Sequence, residues 1–137
     1  IATHMMIIIA MQDTDSKVTS DFLAASVGVN PVIIRKTLSQ LKKAGLISVA
    51  RGTGGTEIIK DLQDISLFDV YQAVECLGKS GKLFSFHDNP NPNCPVGANI
   101  HKVLDQKLLD IQVAMENQLR QMSLAQVVAD AEARIAK

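Results

Sequence analysis

Six lysine and arginine side chains occur within one segment of this 137-residue chain, residues 30–60, where the only acid is Glu57. They are Arg35, Lys36, Lys42, Lys43, Arg51 and Lys60. The segment is strongly basic, although the whole chain is formally neutral. Ammonium and guanidinium groups neutralise phosphates, and an arginine can also bind O6 and N7 of guanine in the major groove. This concentration of charge predicts a polyanionic partner, and the elements around it indicate duplex DNA.

Two helices separated by a tight turn are predicted to position these side chains. Residues 20–27 are predicted as a short helix that ends at Gly28. Asn30 is predicted to cap a second helix, residues 31–44, which starts with a proline and is followed by Gly45. A short helix, a glycine-containing turn and a second, basic helix form the pattern of a helix-turn-helix.

A β-hairpin is predicted directly after the basic helix. Residues 46–51 and 56–60 have the composition of strands, and Gly52-Thr53-Gly54-Gly55 between them is a hairpin turn signal. A glycine-rich run can also hold a phosphate in a P-loop, but a P-loop opens a helix, whereas a strand follows here. The predicted fold class is mainly α with a small β-hairpin: a winged helix-turn-helix domain plus a long C-terminal dimerisation helix.

The second helix has an inner and an outer face. Ile34, Leu38 and Leu41 recur at helical spacing and are predicted to face the core. The predicted DNA-binding residues at its start and on its outer face are Asn30, Pro31, Val32, Arg35, Lys36, Ser39, Gln40 and Lys43. The base-contact candidates are Val32, Arg35 and Lys36, because the first turns of such a helix enter the major groove. Ser39, Gln40 and Lys43 are expected nearer the phosphates.

The hairpin tip is the second predicted DNA-binding element, and it consists of Arg51, Gly52, Thr53, Gly54 and Gly55. Glycines permit positive φ and a close approach of the backbone to a partner. Arg51, at the shoulder of the hairpin, is placed to enter a narrow minor groove. For any single residue a solvated surface is the alternative interpretation, but no acid offsets the charge of the set.

A long helix, predicted from about Gly97 to Met122, carries an apolar stripe. The stripe consists of Ile100, Leu104, Leu108, Ile111, Met115, Leu119 and Met122. Its mean step is close to the helical period, so it stays on one face, and Val103, Leu109 and Val113 add apolar surface beside it. An ordinary core helix is the alternative. A homodimer packed along this stripe is favoured, because helix-turn-helix proteins read two half-sites with a two-fold axis.

The chain is predicted to divide into three parts: a DNA-binding domain (1–77), a sensor-type loop (78–96), and the dimerisation helix with a last helix (97–137). Within the first part, residues 61–65 are predicted as a linker. A helix is predicted from Leu67 to Leu77, with Ser66 and Asp69 in a capping-box-like arrangement. Ser123 is predicted to cap the last helix.

Composition narrows the function classes. Four Phe, one Tyr and no Trp are too few for a platform on which single-stranded nucleic acid stacks. Two cysteines are too few for a disulfide scaffold, which favours the cytoplasm. The apolar start, residues 1–11, is too short to span a bilayer and lacks a basic signal-peptide region. It is predicted as an amphipathic or buried helix whose beginning is missing, because the chain opens without Met.

Three segments carry a resemblance to a known family. They are residues 29–47 (VNPVIIRKTLSQLKKAGLI), 51–55 (RGTGG) and 65–75 (ISLFDVYQAVE). The chain resembles, over nearly its whole length, the regulators IscR, NsrR and CymR. The resemblance implies winged-helix homodimers that bind palindromic operators, usually as repressors. It also implies that residues 30–43 match the recognition helix and residues 51–55 the wing that reaches the minor groove.

The chain departs from the cluster-binding members of that family in two ways. They carry three cysteines in the loop and at the start of the dimer helix, whereas this chain has only Cys94 there, and an iron–sulfur cluster needs about four protein ligands. Arg35 stands where the iron–sulfur regulators often have Glu, so their operator preference does not carry over. The chain resembles instead the cluster-less branch, in which a single loop cysteine acts as a thiol sensor. No cofactor is expected.

Cys94 is predicted to be the regulatory residue. It lies between Pro92 and Pro95, near the start of the long helix, where partial positive charge lowers a thiol pKa. A plain exposed or buried cysteine is the alternative, and for Cys76 an inert buried thiol is favoured. No metal site is predicted, because the three histidines lack metal-ligand spacing; His87 with a neighbouring acid near Cys94 is the weak candidate.

The predicted function is therefore a sequence-specific transcriptional regulator, a homodimeric repressor that responds to thiol oxidation. Its predicted partners are double-stranded DNA and a second copy of the chain, with no membrane. One alternative is a winged-helix protein-interaction module, which the basic segment disfavours. The other is a thiol-dependent enzyme acting through Cys94, for which no accompanying base or nucleophile motif is present.

Overall fold

The structure, a computed structural model, describes residues 1–13, 15–52, 54–74, 80–84 and 87–137. Its helices and strands are α1 (Ala2–Met11), α2 (Ser20–Val27), α3 (Pro31–Lys43), β1 (Ile47–Val49), β2 (Thr56–Ile58), α4 (Leu67–Ala73), α5 (Ile100–Gln121) and α6 (Leu124–Ile135). Short 3-10 turns at Leu62–Asp64 and Gly97–Asn99 precede α4 and α5. The predicted fold class is confirmed: the chain is a mainly helical winged helix-turn-helix with one hairpin and a long C-terminal helix.

The helix-turn-helix forms where its capping residues predict it. The Thr19 hydroxyl accepts the Phe22 amide at 3.2 Å and starts α2, and the Gly28 amide donates to the Ala24 carbonyl at its end. The Asn30 side chain caps α3, which begins with proline at its first position. Local side-chain chemistry thus fixes the turn between the two helices.

Helix α3 closes the core with the face that its sequence predicts. Ile34 and Leu41 are fully buried and Leu38 is 6% exposed, so the predicted inner stripe is confirmed. Thr37 is also buried on this side, and its hydroxyl donates to the Ile33 carbonyl at 2.8 Å, which satisfies the one polar group of the inner face.

The hairpin is shorter than its sequence predicts. Strands β1 and β2 pair antiparallel over three residues each, with Ile47 opposite Ile58 and Val49 opposite Thr56. Beyond Val49 the glycine-rich tip leaves the ladder, apart from one bond from the Ala50 amide to the Gly55 carbonyl at 2.9 Å. The strands were predicted to reach Arg51 and Lys60 because both residues follow strand-forming residues in sequence. Neither residue pairs with the other strand, so both strands end earlier.

Helices from both ends of the chain complete the core. Met5 and Met6 of α1 are fully buried, and α1 packs against α6, whose Leu124 is fully buried as well. Within residues 61–65, predicted as a linker, Leu62–Asp64 form a 3-10 turn, and Ile65 after it is fully buried. The segment is thus a packed connection, because the side chain of Ile65 anchors it in the core.

A short backbone clasp joins the starts of α4 and α6. The Leu67 amide donates to the Met122 carbonyl at 2.8 Å, and the Leu124 amide donates to the Ile65 carbonyl at 2.7 Å. Ser66 and Ser123, the residues between them, each form a capping box at the start of their own helix. The sequence predicts the box at Ser66 and a helix cap at Ser123. The clasp therefore holds the end of α5 against the start of α4.

Helix α5 runs over 22 residues, and Gln112 is its only buried residue. Its first turn, predicted as part of the same helix, is a 3-10 turn at Gly97–Asn99. Helix α4 ends at Ala73, with Val74 as its C-terminal cap, so it stops before the predicted end at Leu77; residues 75–77 of the predicted helix lie outside the described residues. Among the described residues, no helix is both long and apolar enough to cross a lipid bilayer.

Candidate nucleic-acid interface

The outer face of α3 forms one continuous exposed stripe. It consists of Val32, Lys36, Ser39 and Lys43, which recur at steps of four and three residues and are all exposed. Arg35 lies beside the stripe and is exposed as well. Since the opposite side of α3 is buried in the core, this stripe is the surface that the helix presents outward.

The positive charge of this surface is not neutralised within the described chain. The one ion pair found among the described residues joins His101 to Asp105 on α5, at 3.1 Å. Arg35, Lys36 and Lys43 therefore have no carboxylate partner there, and their charge is available to an external anion.

Asn30 and Gln40 differ from the other predicted contact residues. The Asn30 side-chain oxygen accepts the Val32 amide at 2.9 Å and is used as a cap. Gln40 is half-buried, and its amide nitrogen lies 3.5 Å from the Val74 carbonyl oxygen, a long hydrogen bond directed towards the end of α4. The remaining outer-face residues are free of such bonds within the described chain, so Arg35, Lys36, Ser39 and Lys43 stay the stronger candidates.

Glycines of the hairpin tip have structural roles inside the chain. A Cβ at Gly54 would overlap the Ala50 side chain. Gly55 has φ of +82°, and a Cβ there would lie 3.1 Å from the Val18 backbone nitrogen. These two glycines let the tip fold back on its neighbours, and Arg51 and Gly52 remain exposed beside it. Thr53, also predicted to contact DNA, lies outside the described residues.

The predicted dimerisation stripe is only partly covered by its own chain. Leu104, Leu108, Met115 and Leu119 are half-buried, as is Ile100. The most exposed apolar residues of α5 are Ile111 (54%), Val103 (50%), Leu109 (46%) and Val113 (46%), and Met122 after it is 38% exposed. Because α4 covers one side of α5, the exposed apolar residues lie on both flanks of that contact.

Gln112, for which the sequence predicted no role, binds the backbone of the loop before α5 through its side-chain amide. Its side-chain nitrogen donates to the Gly81 carbonyl and to Glu116, at 2.9 and 2.8 Å, and its oxygen accepts the Leu83 amide at 2.9 Å. The available signal was its position, four residues after Leu108 at the edge of the apolar stripe. A glutamine there predicts a buried polar partner, here the backbone of residues 81–83.

Cys94 is exposed in the loop before α5. Hydrogen bonding from the backbone amides of Gly97 and Val96 lowers the pKa of its thiol. More of the side chain is therefore thiolate at a given pH than for an ordinary cysteine. Cys76 lies outside the described residues.

These features define a winged helix-turn-helix protein with an exposed basic face on α3 and a long, partly uncovered C-terminal helix. Residues 1–130 match the model of the Rrf2 family, described as iron-dependent transcriptional regulators. The chain belongs to the Rrf2 family. The predicted resemblance is thereby confirmed, and the members of this family are transcriptional regulators and not enzymes.

Individual relatives agree with this assignment. The chain is 43% identical to the "Putative HTH-type transcriptional regulator YwnA" of Bacillus subtilis (strain 168). The alignment spans 128 residues, which are 93% of this chain and 92% of that protein. A crystal structure of a "putative transcriptional regulator" from Lactobacillus plantarum is 30% identical, with a TM-score of 0.79 over 96% of this chain and 87% of that one. IscR of T. potens, at 21% identity and a TM-score of 0.67 over 97% of this chain and 84% of that one, shares the fold.

The family description names iron, but the residues of this chain do not fit an iron–sulfur cluster. The whole sequence contains two cysteines, Cys76 and Cys94, whereas a cluster takes about four protein ligands, commonly thiolates. The described residues also contain no group of three or more His, Cys, Asp or Glu side chains placed to hold a metal ion.

Proposed function

We propose that the chain is a sequence-specific regulator that binds palindromic operators in duplex DNA as a homodimer and acts as a repressor. The observation that carries this proposal is the outer stripe of α3, whose cations have no carboxylate partner in the described chain. Membership of a family of transcriptional regulators supports it. Arg35 and Lys36 are proposed to contact bases, Lys43 a phosphate, and Arg51 the minor groove.

The three predicted parts of the chain correspond to three proposed roles. Residues 1–77 bind DNA, residues 78–96 sense the signal, and residues 97–137 hold two subunits together. Support for the last role comes from α5, where Ile111 and Val103 are about half exposed although they are large and apolar. A second copy of the chain would cover them, and the two-fold axis would then set the spacing of two recognition helices.

Selection of bound sequences from a random duplex pool tests the DNA-binding proposal. We expect one palindromic sequence to be enriched, and its binding constant to fall steeply with salt, because several phosphates release counterions. A Lys36→Ala, Lys43→Ala double variant is the control for charge. Both side chains are exposed, so the variant should fold, and its affinity for the selected duplex should fall because two positive charges are lost. Failure to enrich any sequence, with the wild type folded, would contradict the proposal.

Redox control through Cys94 is a second proposed property, favoured by the exposure of this thiol and its lowered pKa. The thiolate would attack one oxygen of hydrogen peroxide; the O–O bond breaks, the sulfur becomes a sulfenic acid, and the other oxygen leaves as hydroxide, which is protonated to water. A disulfide to Cys94 of the partner subunit or to Cys76 could follow.

Alkylation of Cys94 as a function of pH, with a Cys76→Ser background, tests the first step. The lowered pKa means that the rate should reach half its maximum at a lower pH than for a free cysteine peptide. Peroxide should then change operator affinity in the wild type and leave Cys94→Ser unaffected. An equal peroxide response of both proteins would show that Cys94 is not the sensor.

A further inference from the structure

Val32 is the apolar residue at the N-terminal end of the exposed stripe of α3, whose other members are polar. It is 62% exposed, and it belongs to the stripe that continues through Lys36, Ser39 and Lys43. Single exposed apolar residues are common on protein surfaces. Here, however, the residue occupies the second position of the recognition helix, which is the end that a helix-turn-helix inserts into the major groove.

None of the first three residues of α3 offers DNA a free backbone donor. Pro31 has no amide hydrogen, the Val32 amide is bound to the Asn30 side chain at 2.9 Å, and the Ile33 amide is bound to the Asn30 carbonyl at 3.0 Å. The amides of this first turn are thus unavailable for the phosphate contact that helix N-termini often make. Of the two large apolar side chains in the turn, Val32 is the more exposed, at 62% against 43% for Ile33.

The major groove contains one apolar group, the C5-methyl of thymine. We propose that Val32 determines specificity by packing against a thymine methyl group within each half-site of the operator. The neighbouring cations support this occupant, because Lys36 and Arg35 lie one turn further along the same side and would draw the helix onto a polyanion. The inference rests on the proposed function, since it names what one residue of the DNA-binding surface reads.

The geometry of α3 supplies a matched control in Ile33. This residue is 43% exposed and next in sequence, but it lies on the flank of the helix that carries the half-buried Gln40, away from the stripe. Both Val32→Ala and Ile33→Ala replace an exposed β-branched residue by a stronger helix former, so both variants should fold.

The test uses the duplex selected by the wild-type protein and replaces each thymine in turn, in both half-sites, by deoxyuridine. Deoxyuridine keeps the base pair and the O4 acceptor and lacks only the methyl group. At one thymine position, replaced in both half-sites, we expect the wild type to bind the deoxyuridine duplex about tenfold more weakly than the thymine duplex. Two methyl contacts are then lost, and each is worth about three- to fourfold. Val32→Ala should bind the two duplexes within about twofold of each other, whereas Ile33→Ala should keep the wild-type ratio.

The outcomes separate this inference from the proposed function. If the wild type selects a sequence but no deoxyuridine substitution weakens binding, or if Val32→Ala keeps the methyl preference, the inference is wrong and DNA recognition stands. If Ile33→Ala alone loses the preference, the reader is Ile33 and the assignment to Val32 is overturned. If the wild type selects no sequence, the proposed function itself fails. The salt dependence should be equal for Val32→Ala and wild type, because a methyl contact releases no counterions.

Discussion

Helices α3 and α5 are both amphipathic, yet the chain covers them in opposite ways. The apolar side of α3 is closed by the core, with Ile34 and Leu41 fully buried, and its basic side is left open. Helix α5 buries one polar residue, Gln112, while Ile111 and Val103 stay about half exposed. Among the described residues, the basic side of α3 has no carboxylate partner, and the flanks of α5 beside its contact with α4 leave large apolar side chains exposed.

The largest effect is expected on the open side of α5. Ile111→Glu places a charge where a second subunit is proposed to pack, and because Ile111 is exposed the variant should fold. We expect the mass in sedimentation to fall to that of one chain, and operator affinity to drop by about two to four orders of magnitude with the loss of linked half-sites. An unchanged mass would show that this flank of α5 is not the contact. Leu108→Glu and Met115→Lys test the half-buried part of the stripe in the same way.

A substitution on the buried side of α3 is expected to lower the stability of the fold. Leu41→Ala removes a fully buried side chain, and we expect the free energy of unfolding to fall by about 2–5 kcal/mol in denaturant titrations. Val113→Ala on α5, tested in the Ile111→Glu background, is the counterpart, and it should cost far less because Val113 is 46% exposed. Similar losses for both would mean that α5 is packed as fully as α3.

Base recognition on the open side of α3 is tested by Arg35→Ala. If Arg35 binds guanine, the variant should lose about 1–3 kcal/mol on the selected duplex and accept other bases at one position. Binding is measured on the selected duplex and on its single-base variants. Equal affinity of wild type and variant for every duplex would contradict the base-reading role.

The smallest effect is expected at the far end of the same stripe. Lys43→Ala should weaken binding to all duplexes alike and lower the slope of log affinity against log salt by about one, as for the loss of one phosphate contact. Lys42→Ala is a useful comparison, since Lys42 is exposed on the neighbouring flank of α3. A change in base preference with Lys43→Ala would place this side chain at the bases instead.

Local chemistry made much of this fold predictable. Asn30, Ser66 and Ser123 cap helices where the sequence predicts them, and the inner stripe of α3 is buried as its spacing requires. These features depend on residues within one or two turns of each other. Membership of the family followed from contiguous motifs in the same way.

Long-range packing could not be predicted from the same patterns. The burial of Ile65 depends on contact with α6, more than fifty residues away in the chain, and the burial of Gln112 depends on the backbone of residues 81–83. The roles of Gly54 and Gly55 depend on how the tip folds against Ala50 and Val18. In the candidate site, the exposure of the outer stripe was predictable, whereas the engagement of Gln40 with the end of α4 was not.

The clasp between the starts of α4 and α6 also has a mechanical consequence. It fixes one end of α5, while the Cys94 loop lies at the other end, and a 22-residue helix is about 33 Å long. A rigid tilt of α5 would therefore pivot near Met122. A tilt of about 5° at the clasp corresponds, over that length, to a displacement of about 3 Å at the loop. Because Gln112 is hydrogen-bonded to Gly81 and Leu83, a tilt of α5 would carry those two loop residues with it.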